Sequence, residues 1–390
     1  MSMPDELRAV EIAEAPPAGP SPGPVAADPH GAYLRTKVFS SLNGVRCLCC
    51  LAVIKEHVQW EIPGPRLIGA GWLGVDLFFV ISGFLIVTLL IRERERRGFV
   101  SLGKFYARRS LRISPIYYLM IFAVFFVFLA VSPWRPNGLN YYSWTFPVLL
   151  IYLQDIIRVP MGGFFHCWSL AMEEQFYLFW PTVEKFANRP LRWGILGGML
   201  ALNQGLNFGL FDGWIARTYG DADSLKLPLY MITFTPILLG VLLAYLLHER
   251  ASFGVLHRLL GFRWAPFLFV GLLFATCEVA PDVSRGWARL LVHLGFMLLL
   301  GSLVIREDHF ARPILTFPPI ARVGVISYGV YLYHVWIIQL MEFVRDKLHL
   351  PRMNGALMSV VVTLATVAVA EASFRLIEQP LLRVKERFHS

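Results

Sequence analysis

Two ionisable residues, an arginine and a histidine, lie in one otherwise apolar stretch, and histidine is a residue type that can act as a general base. The stretch GVRCLCCLAVIKEHVQW, residues 44–60, carries Arg46 and, eleven residues later, His57. Ionisable groups are costly inside a bilayer and usually mark a site or a pathway there. A histidine held beside a carboxylate is the arrangement that orients a general base. The stretch therefore predicts a polar site within an apolar part of the chain.

The elements that must position this site are predicted to be membrane helices. Hydrophobic residues make up 56% of the 390 and charged residues 16%, whereas a soluble domain carries about 25% charge. Apolar stretches of about 17–25 residues predict spans, and they lie at 41–60, 72–91, 113–132, 167–187, 193–210, 229–247, 264–280, 288–305, 319–341 and 354–376. The shorter stretch 143–155 contains Pro147 and predicts a re-entrant or interfacial helix. The expected fold class is an all-α integral membrane protein with about ten transmembrane helices plus that extra helix.

Positive charge predicts the orientation of these helices. If residues 143–155 do not cross, the arginine-rich loops all lie on the cytoplasmic side, and so do both termini. The formal net charge of +9 then reflects anchors beside anionic lipid head groups. The sequence carries no zinc-finger, basic-zipper or aromatic RNA-binding signature. We therefore expect the lipid bilayer as a partner and no nucleic acid.

The predicted topology sorts the unusual polar residues into two layers. The outer layer gathers ionisable residues from four spans: His57, Asp76, Glu173, Glu174 and His334. Ser327 and Tyr331 share one helix face with His334 through i, i+4, i+7 spacing. The layer nearer the cytoplasm holds four arginines: Arg46, Arg108, Arg109 and Arg112. Ordinary anchoring explains the arginines equally well, and an interhelical contact explains a lone histidine. Ionisable residues from four different spans are predicted at one depth, and this coincidence favours a functional site.

The chain ends are predicted to be tails around one membrane domain. Residues 1–36 include EAPPAGPSPGPVAADP and predict a disordered, Pro/Ala-rich cytoplasmic tail. Residues 383–390 predict a basic cytoplasmic tail, and 37–382 form the membrane domain. The five cysteines lack metal-ligand spacing with histidine and predict packing residues, so we expect no metal.

Five motifs, in this order, resemble the membrane acyltransferase-3 family of O-acyltransferases. They are the Arg46–His57 spacing, GWLGVDLFFVISGFLI at 71–86, FYARRSLRISPIYY at 105–118, WSLAMEEQFYLFWP at 168–181 and ISYGVYLYHVWI at 326–337. The likeness runs from about Ser40 to about Leu382, so residues 37–382 are expected to be a membrane acyltransferase domain. It implies transfer of an acyl group, usually acetyl from acetyl-CoA, to a hydroxyl of an extracytoplasmic glycan or related molecule. It also implies that His57 is the catalytic histidine.

The resemblance gives the arginine layer an expected ligand. CoA is a cytoplasmic anion that carries phosphates, and a guanidinium binds phosphate bidentately while staying charged. Arg109 and Arg112 are therefore predicted to bind the phosphates of acyl-CoA, with Arg108 and Arg46 assisting. A bacterial inner (plasma) membrane is the expected location.

The histidine layer is predicted to activate the acceptor hydroxyl. His57 would act as the general base, with the carboxylate of Asp76 or Glu173 fixing its tautomer. Glu61, just beyond the first span, is another carboxylate that could fill this role. A covalent acyl-histidine intermediate is an open variant.

Other assignments around the same layer also stay open. Tyr331 or Ser327 is predicted to donate to the developing oxyanion. The acceptor could be a secondary metabolite, such as a macrolide sugar, rather than a surface carbohydrate. A sugar or polyol transporter could use the same polar layer as a permeation path, although no internal repeat is visible in the sequence.

Overall fold

The computed structural model describes residues 28–58, 65–131, 145–157, 162–219, 233–351 and 353–386. These ranges are helical, and no strand occurs within them. The labelled helices are α1 (Pro29–Arg35), α2 (Ser41–His57), α3 (Leu73–Arg97), α4 (Leu102–Val131), α5 (Trp168–Phe186), α6 (Arg189–Asn207), α7 (Thr235–His248), α8 (Arg250–Leu260), α9 (Ala265–Val279), α10 (Gly286–Ile305), α11 (Pro318–Val325), α12 (Ser327–Lys347) and α13 (Gly355–Ser373). Other helical segments are Arg66–Gly69, a 3-10 helix at Gly162–Cys167, Asp212–Tyr219, Arg312–Leu315, a π-helical turn at Phe374–Glu378, and Gln379–Glu386.

Each predicted apolar stretch overlaps a helix, but the predicted number of about ten spans is not confirmed. Among the described residues, four helices are long and apolar enough to cross a membrane: Leu73–Arg97, Leu102–Val127, Gly286–Ile305 and Gly355–Leu382. Two sharply bent pairs raise the number to six if each is one span: α7 with α8, at 107°, and α11 with α12, at 79°. Several other helices are too short or too charged to qualify, and α2, with 17 residues, is one of them. The described part of the chain therefore contains four to six candidate spans, which supports an integral membrane protein.

The eleventh stretch forms a short helix rather than a span. Residues 145–150 are helical and turns follow through 157. At 1.5 Å per residue, six helical residues extend about 9 Å, far less than the bilayer core of about 30 Å.

The start of the described chain corrects the boundary of the predicted tail. Residues 1–27 lie outside the described residues, but Pro29–Arg35 forms α1, and Tyr33 on it is only 3% exposed. Arg92 on α3 donates to the carbonyls of Tyr33 and Thr36, at 3.1 and 2.6 Å. The aromatic side chain and these bonds hold the segment against the membrane domain. At the other end, helix Gln379–Glu386 reaches into the predicted basic tail, and 387–390 lie outside the described part.

Backbone-to-backbone packing at glycines fixes α2 and α3 among their neighbours. A Cβ added at Gly83 of α3 would lie 2.0 Å from the Ile237 carbonyl oxygen of α7, and one at Gly324 of α11 would lie 1.8 Å from the Asn43 carbonyl oxygen of α2. Small residues allow such close approach of helices in membranes. Because α11 packs against α2 and turns by 79° into α12, the face of α12 that carries Ser327, Tyr331 and His334 is directed towards α2.

The cysteines of α2 fill space in this core. Cys47, Cys49 and Cys50 are buried and carry free thiols. A Cβ at Gly74 of α3 would lie 2.8 Å from the Cys49 carbonyl oxygen, so α2 and α3 also pack closely at this level. The positions agree with the packing role that the sequence predicts.

Candidate active site

The end of α2 and the first half of α12 bring two histidines into contact. His57 is the last residue of α2, and His334 lies seven residues after the start of α12. His57 Nδ1 lies 2.9 Å from His334 Nε2, and the ring centroids are 4.9 Å apart. His334 is fully buried, whereas His57 is partly exposed. The structure thus joins two of the predicted site residues directly.

The hydrogen bonds around His334 determine which nitrogens carry hydrogen. His334 Nδ1 lies 2.6 Å from the carbonyl oxygen of Tyr331, and a carbonyl can only accept, so Nδ1 carries the hydrogen. In a neutral imidazole the other nitrogen is then an acceptor. His334 Nε2 therefore accepts from His57 Nδ1–H, which leaves His57 Nε2 with a free lone pair. In the structure the partner of His57 Nδ1 is thus a second histidine, where a carboxylate was predicted.

A third histidine, His166, completes this cluster and was not singled out from the sequence. It lies in the 3-10 helix Gly162–Cys167 and is 1% exposed. Its ring centroid is 5.1 Å from that of His334, and its Nε2 donates to the Leu332 carbonyl at 3.3 Å. The available signal was a histidine immediately before the apolar stretch that became α5.

Tyr331 lies between the histidine cluster and a cavity on its other side. Its hydroxyl donates to the carbonyl of His166 at 2.9 Å and lies 2.7 Å from Ser169 Oγ. Ser169 Oγ donates to the same carbonyl at 3.3 Å, so both hydroxyl groups converge on one backbone oxygen. We call Tyr331, His166 and His334 the partition. The predicted oxyanion donor is therefore a buried hydroxyl that is already hydrogen-bonded.

The cavity on this far side of the partition, the arginine cavity, has a volume of about 680 Å³. Its lining includes Arg46 on α2 and Arg109 and Arg112 on α4. The Arg109 guanidinium lies over the ring of Tyr177, 4.5 Å from the centroid. The structure thus brings three of the four predicted arginines to one cavity, together with Ser327 and Tyr331. A cluster of guanidinium groups can bind a phosphate-bearing ligand.

Glu173 is the carboxylate inside the arginine cavity. Tyr177 donates to its Oε1 at 2.8 Å, and Ser82 donates to the same oxygen. No hydrogen bond or ion pair links Glu173 to His57 within the described ranges. The carboxylate therefore balances positive charge in this cavity instead of orienting His57, which corrects the role predicted for it.

The other side of the partition opens into a second cavity, the histidine cavity, of about 1240 Å³. His57 and Phe165 line it at one end, and the Phe165 ring lies edge-on to His57 with centroids 5.2 Å apart. The far part is lined by side chains of α12 and of the segment leading into α13. His57 is thus accessible from the histidine cavity, whereas Arg46, Arg109 and Arg112 line the arginine cavity.

Asp76 does not meet His57, although the two were predicted to lie at one depth. Its Oδ2 lies 3.0 Å from His293 Nε2 and 3.9 Å from Arg289 Nη2, both on α10. All three side chains are nearly fully buried. Depth fixes the level of a residue on a helix but not the face it occupies, and Asp76 faces α10. The group is a buried ion cluster that joins α3 to α10.

Two further predicted residues also point elsewhere. Arg108, adjacent to Arg109 on α4, lies 3.7 Å from Glu93 and does not line the arginine cavity. Glu174 does not line the arginine cavity either, although its carboxylate lies within electrostatic range of Arg109 as well as of Tyr118 and Tyr152. Consecutive residues of a helix differ by about 100° in direction, which separates each of them from its neighbour in the site. Glu61 lies outside the described residues.

The described part of the chain contains no group of three or more His, Cys, Asp or Glu side chains suited to holding a metal ion. The site that the structure assembles is instead a hydrogen-bonded pair of histidines, with a cavity lined by three arginines on one side and a mixed polar and apolar cavity on the other.

Comparisons with known proteins agree with this chemistry. A family model described as an acyltransferase domain matches residues 39–372. The peptidoglycan O-acetyltransferase OatA of Listeria monocytogenes is 29% identical over 364 residues, 88% of this chain and 56% of that protein. A putative O-acetyltransferase of Staphylococcus aureus is 26% identical, with 89% and 58% covered. A putative peptidoglycan O-acetyltransferase of Bacillus subtilis, YrhL, is 27% identical, with 88% and 55% covered.

These similarities decide between an enzyme and a transporter. The chain spans little more than half the length of the curated relatives that it matches, and no solved structure matches it significantly. The named relatives are transferases, and the transporter alternative gains no support from them. The match covers most of the chain, from the start of α2 to the end of α13, so this chain belongs to the acyltransferase-3 family.

Proposed function

We propose that this protein transfers an acyl group, most simply acetyl from acetyl-CoA, to a hydroxyl of an extracytoplasmic carbohydrate. The observation that carries the proposal is the position of His57, whose free Nε2 faces one cavity while three arginines line another beyond the partition. The names of the relatives point to a peptidoglycan-type glycan as the acceptor.

The arginine cavity supports a CoA thioester as the donor. Arg46, Arg109 and Arg112 provide positive charge for phosphates, and we place this cavity on the cytoplasmic side, where CoA is found. Serine and tyrosine hydroxyls and apolar side chains line the rest of it, which suits the mixed polarity of the pantetheine arm. The thioester end would reach the partition near Tyr331.

The histidine pair supports direct transfer with general-base catalysis. His57 Nε2 takes the proton of the acceptor hydroxyl while the hydroxyl oxygen forms a bond to the thioester carbonyl carbon. The imidazolium that forms stays hydrogen-bonded to His334 Nε2 through Nδ1–H. Collapse of the tetrahedral intermediate breaks the C–S bond, and the CoA thiolate leaves with the proton that His57 Nε2 took from the hydroxyl, which restores the neutral imidazole. A hydroxyl released from its bond to a carbonyl, that of Tyr331, can donate to the oxyanion.

The test is acyl transfer by membranes containing the protein, supplied with labelled acetyl-CoA and isolated peptidoglycan glycan strands. His57→Ala should lower the transfer rate by about 10²–10⁴-fold. Arg109→Ala and Arg112→Ala should raise the KM for acetyl-CoA. Arg108→Ala is the matched control, because it has the same charge and lies on the same helix but contacts Glu93 outside the cavity.

Two results would count against the proposal. Full activity of His57→Ala would exclude it as the base. Equal effects of the Arg108 and Arg109 changes on the KM for acetyl-CoA would indicate that the arginines anchor the protein at a membrane surface and do not bind CoA.

A further inference from the structure

The face of α12 that carries His334 continues into the histidine cavity with one apolar and two charged side chains. Ile338, Glu342 and Arg345 follow His334 at helical spacing, and all three line the cavity. At 1.5 Å per residue, Glu342 lies about 12 Å along the axis from His334. The cavity therefore extends well beyond the catalytic base, with charged groups at its far end.

Two of these polar groups are available to bind a ligand. No hydrogen bond or ion pair joins the side chains of Gln339 and Glu342 to any other described residue, although both line the cavity. Arg345, by contrast, is held by Asp346 through bonds of 3.0 and 2.8 Å. The cavity thus presents one carboxylate acceptor and one amide that can both donate and accept.

Much of the remaining lining of the cavity is apolar. Phe165 is 43% exposed although it lies against His57. Three methionines, Met341, Met353 and Met358, also line the cavity. Ligand sites of this type combine apolar walls with a few polar groups that fix the orientation.

From this juxtaposition we propose that the histidine cavity is the acceptor subsite and that it binds a sugar ring. An apolar C–H face of the ring lies on Phe165, and hydroxyl or amide N–H groups bond to Glu342 and Gln339. A sugar presents both kinds of surface at once, whereas a lipid chain leaves the Glu342 carboxylate and the Gln339 amide without a partner. The inference rests on the proposed function and identifies the residues that select the acceptor.

The test uses the purified full chain, acetyl-CoA and the tetramer of β-1,4-linked N-acetylglucosamine as a soluble acceptor. Glu342→Gln and Gln339→Leu should each raise the KM for the tetramer by about tenfold or more, as expected for loss of a hydrogen bond to a charged group or of an oriented amide. The KM for acetyl-CoA and the slow hydrolysis of acetyl-CoA without acceptor should stay unchanged. Lys347→Gln is the control, since Lys347 lies on α12 outside the cavity lining.

The outcomes separate this inference from the proposed function. An unchanged KM for the tetramer in both variants overturns the acceptor subsite, and so does an equal rise in Lys347→Gln. Failure of the unaltered protein to acetylate any carbohydrate counts instead against the proposed function.

Discussion

Replacing His334 by phenylalanine is the sharpest perturbation of the proposed mechanism. Phenylalanine keeps an aromatic ring in a fully buried position but removes both nitrogens. His57 Nδ1–H then loses its acceptor at 2.9 Å, and the Tyr331 carbonyl loses its donor at 2.6 Å. The Val53 backbone carbonyl remains as a hydrogen-bond partner of the His57 ring, but the acceptor that His334 offers to Nδ1–H is lost. The fraction of His57 with a free Nε2 in the correct orientation should fall.

The size of the effect follows from the lost hydrogen bond. An unsatisfied buried donor costs about 1–3 kcal/mol, and about 1.4 kcal/mol corresponds to a factor of ten. We therefore expect kcat to fall by about 5- to 150-fold in His334→Phe. The loss cannot exceed that of His57→Ala, about 10²–10⁴-fold, because His334 acts only through His57. The KM for acetyl-CoA should not change.

The assay is a double-mutant cycle on the rate of acetyl transfer. Two groups that act as one unit give strongly non-additive losses, so His334→Phe should have no further effect in a His57→Ala background. His248→Gln, at the end of α7 against Glu95, is a histidine control remote from the site. Additive losses in the double mutant would refute the reasoning, since they would show that His334 contributes independently of His57.

Two further predictions concern the fold. Gly324→Ala should lower the temperature of unfolding in detergent, corresponding to about 1–3 kcal/mol or more, because its Cβ would lie 1.8 Å from the Asn43 carbonyl oxygen; Gly254→Ala, which meets open space, should not lower it, and equal stability of both variants would contradict the close packing. Burial, with Arg312 nearby, lowers the pKa of His309 to about 4 from 6.5, so protonation favours the unfolded chain. Stability should therefore fall by about 3 kcal/mol between pH 6.5 and 4, and thermal unfolding of His309→Gln should show a smaller loss over that range.

The hydrophobic pattern and the motifs predicted the helices and some of the side chains that meet in the structure. Every apolar stretch overlaps a helix, and the depth argument brought His57 and His334 together correctly. Depth alone could not place Asp76, because the rotation of α3 that directs it to His293 depends on the packing of glycines against α7. His293 lies inside the predicted apolar stretch 288–305, and the composition of that stretch does not indicate a partner for Asp76. The tautomer of His57 depends on a backbone carbonyl, which no sequence pattern reports.

Lys55 and Glu56, at the charged end of α2, are a second example of residues whose role the sequence does not show. In the structure Lys55 donates to the Gly69 carbonyl at 3.1 Å, and Glu56 accepts from the Gly71 backbone N–H at 2.9 Å. These contacts hold the turn before α3 to the end of α2 and so help to fix the position of His57. These contacts depend on the conformation of a loop. Because a loop has no periodic sequence pattern, the contacts can be identified only in the structure.

The partition has a consequence for the cell that carries the protein. A membrane stores energy as an ion gradient, and an open pore dissipates it. For the proposed transfer, the acyl group has to pass the partition where Tyr331 contacts Ser169 and the backbone of His166. The hydroxyl groups at this contact are buried and hydrogen-bonded at 2.7 and 2.9 Å. We therefore expect the contact that separates the two cavities also to limit the leak of ions during the proposed transfer.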